Sequence, residues 1–515
     1  MLHGPVRGQI IRRFCPPLWP RYLRVILAFL LVQSFAMPCP LRAQPAEDNA
    51  ALAQQGVRQL QAMEAALQQA IDKARPSVVS IFLQDSVQGG LDPQFGPGGI
   101  RANNALQPAS FGSGVILRKE GLIATCYHVV RSASRNSNGF GIRVVLHDGT
   151  SHPATVFAAD PRSDLAVLKI TSSAPLELTP ITLGDGGKLF PGQFVLALGN
   201  PFGVAEVDGS ISASWGIISN LRRRPARDPQ AEQSESMVFQ GRTLVQTDAR
   251  LNMGSSGSAL INIHGELIGL GMALSAAIGI EAPGGFAQPI DGATHRILDT
   301  LAEGREVEYG FVGISFDPIR IPGGAGNGGN GVVVARIALP STRMAGLQPG
   351  DVISSVNDHP IKDVHDLIFT VGSLPAGTKL RTKVVRKGAE QELTLTLGKF
   401  PLREEPIVTN KRPLFNGLRV DHLSTLVDKG NVGWGDENGG LPPYGVAVRD
   451  VVSGSPAAEK GIQPKQIILA VNGEKVLDPD QFDQLVAAAT GPIKLTFTGD
   501  VEQVFGSGEE KKSDR

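Results

Sequence analysis

The chain has 515 residues, with 49 Lys and Arg against 49 Asp and Glu, so its formal net charge is +0. That balance excludes a chain-wide basic surface of the kind that displaces counterions from nucleic-acid phosphates. Hydrophobic residues at 42% with charged residues at 19% exclude wholesale disorder. Gly at 61 and Pro at 36, with aromatics at only 5%, favour short strands and turns over long helices, so the expectation is a mostly β, modular chain of roughly three domains.

In chain order, residues 1–43 carry an address. Arg7, Arg12, Arg13, Arg21 and Arg24 precede an apolar run from Val25 to Met37, and Leu41-Arg42-Ala43 ends in a small residue suited to signal peptidase. The run is shorter than the about 20 apolar residues of a spanning helix, so a cleaved signal peptide and an exported, periplasmic chain are expected, with an uncleaved membrane anchor as the alternative. Cleavage near Ala43 removes Cys15 and Cys39, leaving Cys126 as the one cysteine and no intramolecular disulfide. Residues 44–75 predict a helical segment, with Leu60, Met63, Leu67, Ile71 and Ala74 on one stripe, packed on its own domain or serving oligomer contacts.

From 76 to 294 the pattern is β-like. Val78-Val79-Ser80-Ile81-Phe82, Gly114 to Leu117, Val144 to Leu146, Leu165 to Ile170, Phe194 to Leu198 and Leu267 to Leu270 are separated by turn signals such as Asp148-Gly149 and Asn200-Pro201. Roughly a dozen strands suit a barrel architecture, interrupted by two candidate loops, Gln84 to Ser110 and Asn220 to Gln240. A helix is predicted over His295 to Glu303. Two similar units follow, at 305–401 and 412–500. Gly346-Leu347-Gln348-Pro349-Gly350-Asp351-Val352-Ile353 with Val356-Asn357 and a helix over Asp363 to Val371 matches Gly461-Ile462-Gln463-Pro464-Lys465-Gln466-Ile467-Ile468 with Val471-Asn472 and a helix over Asp480 to Ala489. This repeat signals a duplicated domain. Residues 501–515 form a charged tail.

The chemistry sits in the β-rich region. His128 closes the run Leu122 to Val130, Asp164 opens Asp164-Leu165-Ala166-Val167-Leu168, and Ser256 lies in Gly254-Ser255-Ser256-Gly257-Ser258. A serine hydroxyl becomes a useful nucleophile when an imidazole takes its proton, and the imidazole needs a carboxylate to hold its tautomer. The order His, Asp, Ser is that of the chymotrypsin-type triad and differs from that of α/β-hydrolases. The flanking glycines let the N–H groups of Gly254 and Ser256 converge on an oxyanion.

With Ile123 to Val130, Ser163 to Ile170, Leu198-Gly199-Asn200-Pro201-Phe202-Gly203, Gln246 to Met253, Gly265-Glu266-Leu267-Ile268-Gly269 and Gly285-Phe286-Ala287-Gln288-Pro289, the chain resembles the HtrA (Deg) family of serine proteases. The resemblance implies a trypsin-like double β-barrel followed by two PDZ domains, catalysis by His128, Asp164 and Ser256, an oxyanion hole at Gly254 and Ser256, and ATP-independent cleavage of misfolded or damaged proteins, with small or medium aliphatic side chains before the cut bond. It also implies peptide C-termini held by the carboxylate loop Phe311-Val312-Gly313-Ile314, a counterpart loop at Phe415-Asn416-Gly417-Leu418, and a homo-oligomer, a trimer. No cofactor, metal or nucleic acid is implied. Ser255 and Ser258 stand where the family usually has Asn and Gly, and Ser258 is expected to burden a position needing positive φ. The rival is a peptide-binding scaffold or chaperone with a silent protease domain. In the second unit, Lys465-Gln466 replaces Gly-Asp and Ser424 to Tyr444 is an insertion. Cys126 is expected to be a buried inert thiol rather than a redox switch, Arg222-Arg223-Arg224 with Arg227 a solvated loop, with a self-cleavage or partner-docking segment as the alternative, and Gly323 to Gly331 a hairpin loop in the first unit.

Overall fold

A computed structural model of the chain describes residues 46–85, 110–135, 140–172, 174–206, 209–223, 243–272, 284–316, 331–402, 404–427 and 441–506. The expected signal segment and residues 86–109, 224–242, 317–330 and 428–440, on which most of the expected loops fall, lie outside them.

The chain divides into two units, Met1–Glu64 and Ala65–Arg515. In the first, the described residues belong to helix α1 (Ala46–Ala74), and Leu52, Val57 and Leu60 on it are exposed. In the second, Leu67, Ala70, Ile71 and Ala74 of the same helix join a hydrophobic core, so the predicted stripe is buried only toward its C-terminal end.

Two closed barrels follow. The first comprises β1 (Val78–Asp85), β2 (Ser110–Arg118), β3 (Leu122–Cys126), then helix α2 (Tyr127–Arg135), β4 (Phe140–Val145), β5 (Ser151–Asp160) and β6 (Leu165–Ile170). Its order is β5-β4-β1-β2-β3-β6, and the pairing of β5 with β6, Val156 opposite Leu168, closes it. The second comprises β7 (Phe194–Gly199), β8 (Ser212–Arg223), β9 (Leu244–Thr247), β10 (Ala259–Ile261), β11 (Leu267–Met272) and β12 (Gly285–Pro289), in order β10-β11-β12-β9-β8-β7. β3 and β11 are continuous apolar runs buried along their whole length, because one face fills a barrel and the other is covered, whereas β5 and β8 keep exposed polar positions. β8 runs to Arg223, so Asn220 to Arg223 is strand and not loop as expected.

Helix α3 (Gly292–Ala302) starts earlier than predicted, since Asp291 caps it by accepting the Thr294 N–H at 2.9 Å. The repeated units then share one topology. The first has β13 (Gly310–Phe311), β14 (Ile314–Phe316), β15 (Val332–Ile337), α4 (Pro340–Met344), β16 (Val352–Val356), β17 (His359–Pro360), α5 (Val364–Gly372), β18 (Lys379–Arg386), β19 (Ala389–Thr396) and β20 (Gly398–Lys399). After β21 (Ile407–Val408), the second has β22 (Leu418–His422), β23 (Val446–Val451), α6 (Pro456–Glu459), β24 (Ile467–Val471), β25 (Glu474–Lys475), α7 (Pro479–Ala488), β26 (Ile493–Phe497) and β27 (Glu502–Phe505). The sheets run β14-β15-β16-β18-β19 and β22-β23-β24-β26-β27. Asp363 and Asp478 cap α5 and α7 in the same way, each accepting an N–H three residues on at 2.8 Å. β21 belongs to neither unit: it pairs with β5 of the first barrel, Ile407 opposite Ala159 and Val408 opposite Ala158.

Candidate active site

His128 enters from the first turn of α2, Asp164 from the turn before β6 and Ser256 from the loop between β9 and β10. The structure brings all three together. The His128 Nδ1 lies 2.7 Å from Asp164 Oδ2, and its Nε2 lies 2.8 Å from Ser256 Oγ. Asp164 also accepts the His128 backbone N–H at 2.9 Å, and its carbonyl accepts the N–H of Tyr127 at 2.9 Å, so both ends of the pair are fixed by main chain as well as side chain. Asp164 holds φ of 51°, a conformation that Asp tolerates better than most residues. Its side chain is 4% exposed and that of His128 is 47% exposed, which leaves the imidazole open to a substrate while the carboxylate is shielded. Burial pushes the His128 pKa down, but the Asp164 charge and its hydrogen bond outweigh this and raise it above the ordinary imidazole value.

Two glycines shape the serine loop. Gly254 and Gly257 have φ of 89° and 82°, and a Cβ on Gly257 would stand 2.1 Å from the Ser113 carbonyl. Ser258, expected to be strained, has no positive φ; it fits because the residues facing it are Gly199 and Gly271, where an added Cβ would lie 2.7 Å from Ser258 Cβ and 2.2 Å from its Oγ. Sequence reasoning missed Ser113, which ties the loop to the first barrel. It donates its N–H to the Ser256 carbonyl at 2.8 Å and its hydroxyl to the Gly254 carbonyl at 2.9 Å, while accepting the Asn200 N–H on Oγ and the Thr125 hydroxyl on its carbonyl. The signal was Gly112-Ser113-Gly114, where two glycines flanking a small polar residue inside an apolar strand mark close backbone approach. Cys126 is fully buried with Sγ 3.5 Å from the Gly271 carbonyl.

The turn carrying Asp164 is held from outside the barrel. Asp160 accepts the Ser163 N–H at 2.8 Å and the Tyr309 hydroxyl, and the Arg162 guanidinium lies over the Phe400 ring at 3.7 Å and the Tyr309 ring at 4.7 Å. Phe400 in turn meets Phe311 edge to face at 5.6 Å.

Of the residues expected to hold peptide, Phe311 thus turns its ring to Phe400, Val312 is buried in the core of its domain, and Ile314 packs beside it at the start of β14. Gly313 has φ of 70°, and a Cβ there would lie 2.3 Å from Leu339. The counterpart loop is built differently. Phe415 N–H bonds to the Leu418 carbonyl at 2.8 Å and Leu418 N–H returns to the Phe415 carbonyl at 2.9 Å, closing the turn on itself. Asn416 is buried with φ of 49°, and its Oδ1 has no partner among the described residues.

Comparison with known proteins matches a trypsin-like peptidase domain over residues 112–270 and PDZ domains over 310–397 and 448–497. The chain is 30% identical over 397 residues to the probable periplasmic serine endoprotease DegP-like of Chlamydia muridarum (strain MoPn / Nigg), covering 76% of this chain and 73% of that one. It is 31% identical over 471 residues to the periplasmic serine endoprotease DegP of Escherichia coli (strain K12), covering 85% and 89%, and 29% identical over 449 residues to the periplasmic pH-dependent serine endoprotease DegQ of the same organism, covering 84% and 89%. Among solved structures, the HtrA-type protease AlgW with decapeptide aligns with TM-score 0.47 and 29% identity over 65% of this chain and 99% of that one. With a trypsin-like double barrel followed by two PDZ domains, and with relatives of this identity and extent, the chain belongs to the DegP-like HtrA family of serine endoproteases.

Proposed function

We propose that Ser256 is the nucleophile, His128 the base and Asp164 the residue that orients it, in an exported, ATP-independent endoprotease of the periplasm that cuts misfolded or damaged proteins. The observation that carries this reading is the unbroken chain Asp164 Oδ2, His128 Nδ1, His128 Nε2, Ser256 Oγ, with both links under 3 Å. Ser256 Oγ attacks the peptide carbonyl as its proton passes to Nε2; the protonated imidazole, stabilised by Asp164, then returns the proton to the leaving amine. Gly254 and Ser256 N–H groups form the oxyanion hole, and the positive φ of Gly254 is what turns the loop toward that point. The protease region spans 76–294 and the PDZ regions 305–401 and 412–505, since β27 carries the second sheet five residues past the expected end at 500 and into the expected charged tail. The first PDZ domain takes peptide C-termini, because in the second the Leu418 N–H is spent within its own turn. A homotrimer is the assembly this family membership suggests.

The test is an unfolded protein such as casein incubated with residues 44–515 and with the Ser256→Ala variant. Cleavage by the first and a loss of several orders of magnitude in the second are expected. Equal cleavage by both would remove Ser256 from the mechanism, and no cleavage by either would favour a silent scaffold.

A further inference from the structure

The connection between the two PDZ domains does not simply cross from one to the other. From Glu404 to Asn410 it is tied at three places, two on the catalytic barrel and its helix α2 and one on the turn after α3. The Glu404 carboxylate accepts the Tyr127 hydroxyl at 2.6 Å, and its other oxygen stands 3.6 Å from the Arg131 guanidinium. Ile407 and Val408 add a strand to β5, with Ile407 packed against the core cluster that contains Tyr127 and Val129. Thr409 and Asn410 both donate their N–H groups to the Gly304 carbonyl, at 3.1 and 2.9 Å.

The first of these ties acts on the helix that carries the catalytic base. α2 has nine residues, and His128 is its second. Tyr127 and Arg131 are four apart and lie on one face, so a single carboxylate grips the helix twice, one turn apart, and opposes both its translation and its roll. On the inner side α2 is fixed by the Tyr127 N–H to Asp164 carbonyl bond. His128 sits between the two anchorages, and its reach of 2.8 Å to Ser256 Oγ depends on both. A displacement of about 1 Å in such a group costs on the order of a hundredfold in rate.

Resting on the triad assignment above, we infer that Glu404 is a positioning residue for His128, and that residues 404–410 are a strap through which the inter-PDZ connection holds α2 in its productive orientation. The strap touches neither substrate nor reacting atoms. It acts through Tyr127 and Arg131.

The experiment uses the full chain, its Glu404→Ala, Glu404→Gln and Tyr127→Phe variants and the Glu404→Ala/Tyr127→Phe double variant. Two readouts report the triad without the PDZ domains: kcat and KM on a short chromogenic peptide, and the rate of inactivation by a small phosphonofluoridate that labels an activated serine. In Glu404→Ala, kcat and the labelling rate are expected to fall together by roughly tenfold, the scale of one lost charge-assisted hydrogen bond, with KM within about twofold. Glu404→Gln keeps an acceptor for Tyr127 and should retain most of the activity. The double variant should be no slower than the slower single one, and amide exchange in α2 should quicken in Glu404→Ala. If Glu404→Ala fails to fold, Tyr127→Phe, which loses one oxygen, should show the same kcat-only loss. Parent-like labelling in Glu404→Ala, additive losses in the double variant, or unchanged exchange in α2 would overturn the strap alone. A parent chain that neither cleaves nor labels would overturn the triad assignment, and the strap's role with it.

Discussion

His128 links pH to the proposed chemistry. In the proposed mechanism its neutral form takes the Ser256 proton, and Asp164 holds the imidazole pKa above the ordinary 6.5. The protonated, inactive form therefore persists to higher pH than in a free histidine, and the acid limb of kcat/KM should titrate above pH 6.5 rather than at it. A pH–rate profile from pH 5 to 9 on a peptide substrate checks this; a midpoint below the free value would contradict it. Ser258 supports a second expectation. It is 1% exposed and its hydroxyl finds no hydrogen-bond partner among the described residues. Ser258→Ala removes a desolvated oxygen without opening a large void, so it should raise stability by about 1 kcal/mol, read as a higher Tm, with proteolysis retained. Both residues were legible in the sequence, but only one was understood there. Order and spacing drew attention to His128. The tolerance of Ser258 depends on Gly199 and Gly271 across the barrel, and no local pattern links positions so far apart.

At the scale of elements, the two carboxylate loops differ in a way that peptide binding can measure. Gly313 turns at φ of 70° and leads into β14, whereas Phe415 and Leu418 exchange hydrogen bonds across their own turn. Titrating the full chain carrying Ser256→Ala with peptides ending in apolar residues should give binding that Gly313→Val abolishes and Gly417→Val leaves in place, and that amidation of the peptide weakens. Binding lost only with Gly417→Val would reverse the assignment. The strands and the repeat were readable because apolar runs, turn residues and a recurring Gly-Leu/Ile-Gln-Pro segment are local signals. Two helix starts came out late because an Asp cap began the helix before its apolar stripe did, at Asp291 and Asp478, whereas at Asp363 the predicted start was the cap itself. β21 was invisible: two apolar residues, Ile407 and Val408, become a strand only because β5 offers them an edge.

Across the molecule, the second PDZ domain is locked to the first by charge and by a small apolar seam. Lys399, 5% exposed, reaches Asp421 at 2.9 Å and Glu306 at 2.8 Å, and Arg449 joins the same two carboxylates. Beside them Leu339, Val427 and Leu441 form one core cluster with Phe311 and Leu423 packed against it, and the Ser424 hydroxyl bonds both to and from the Lys399 backbone. Burial works to raise the pKa of Glu308, but the His422 hydrogen bond and the charges of His422, Lys399 and Arg412 bring it down to about 2. A depressed carboxylate stabilises the fold fully above its ordinary value of 4.5 and loses that contribution as pH falls toward 2, on the order of 3 kcal/mol in all. Acid should therefore loosen this junction between those pH values, and Glu308→Gln should remove most of that dependence, as acid titration followed by limited proteolysis of the 404–427 region would show. The strand β21 has a further consequence, in the order of synthesis. The catalytic barrel closes on itself, yet the segment that pins its histidine helix lies beyond the whole of the first PDZ domain. On the proposed triad and strap, a nascent chain leaving the ribosome, or threading through a membrane pore from its N-terminus, would present His128, Asp164 and Ser256 before the piece that steadies them had emerged, and the protease would ripen only once its own downstream segment had been delivered.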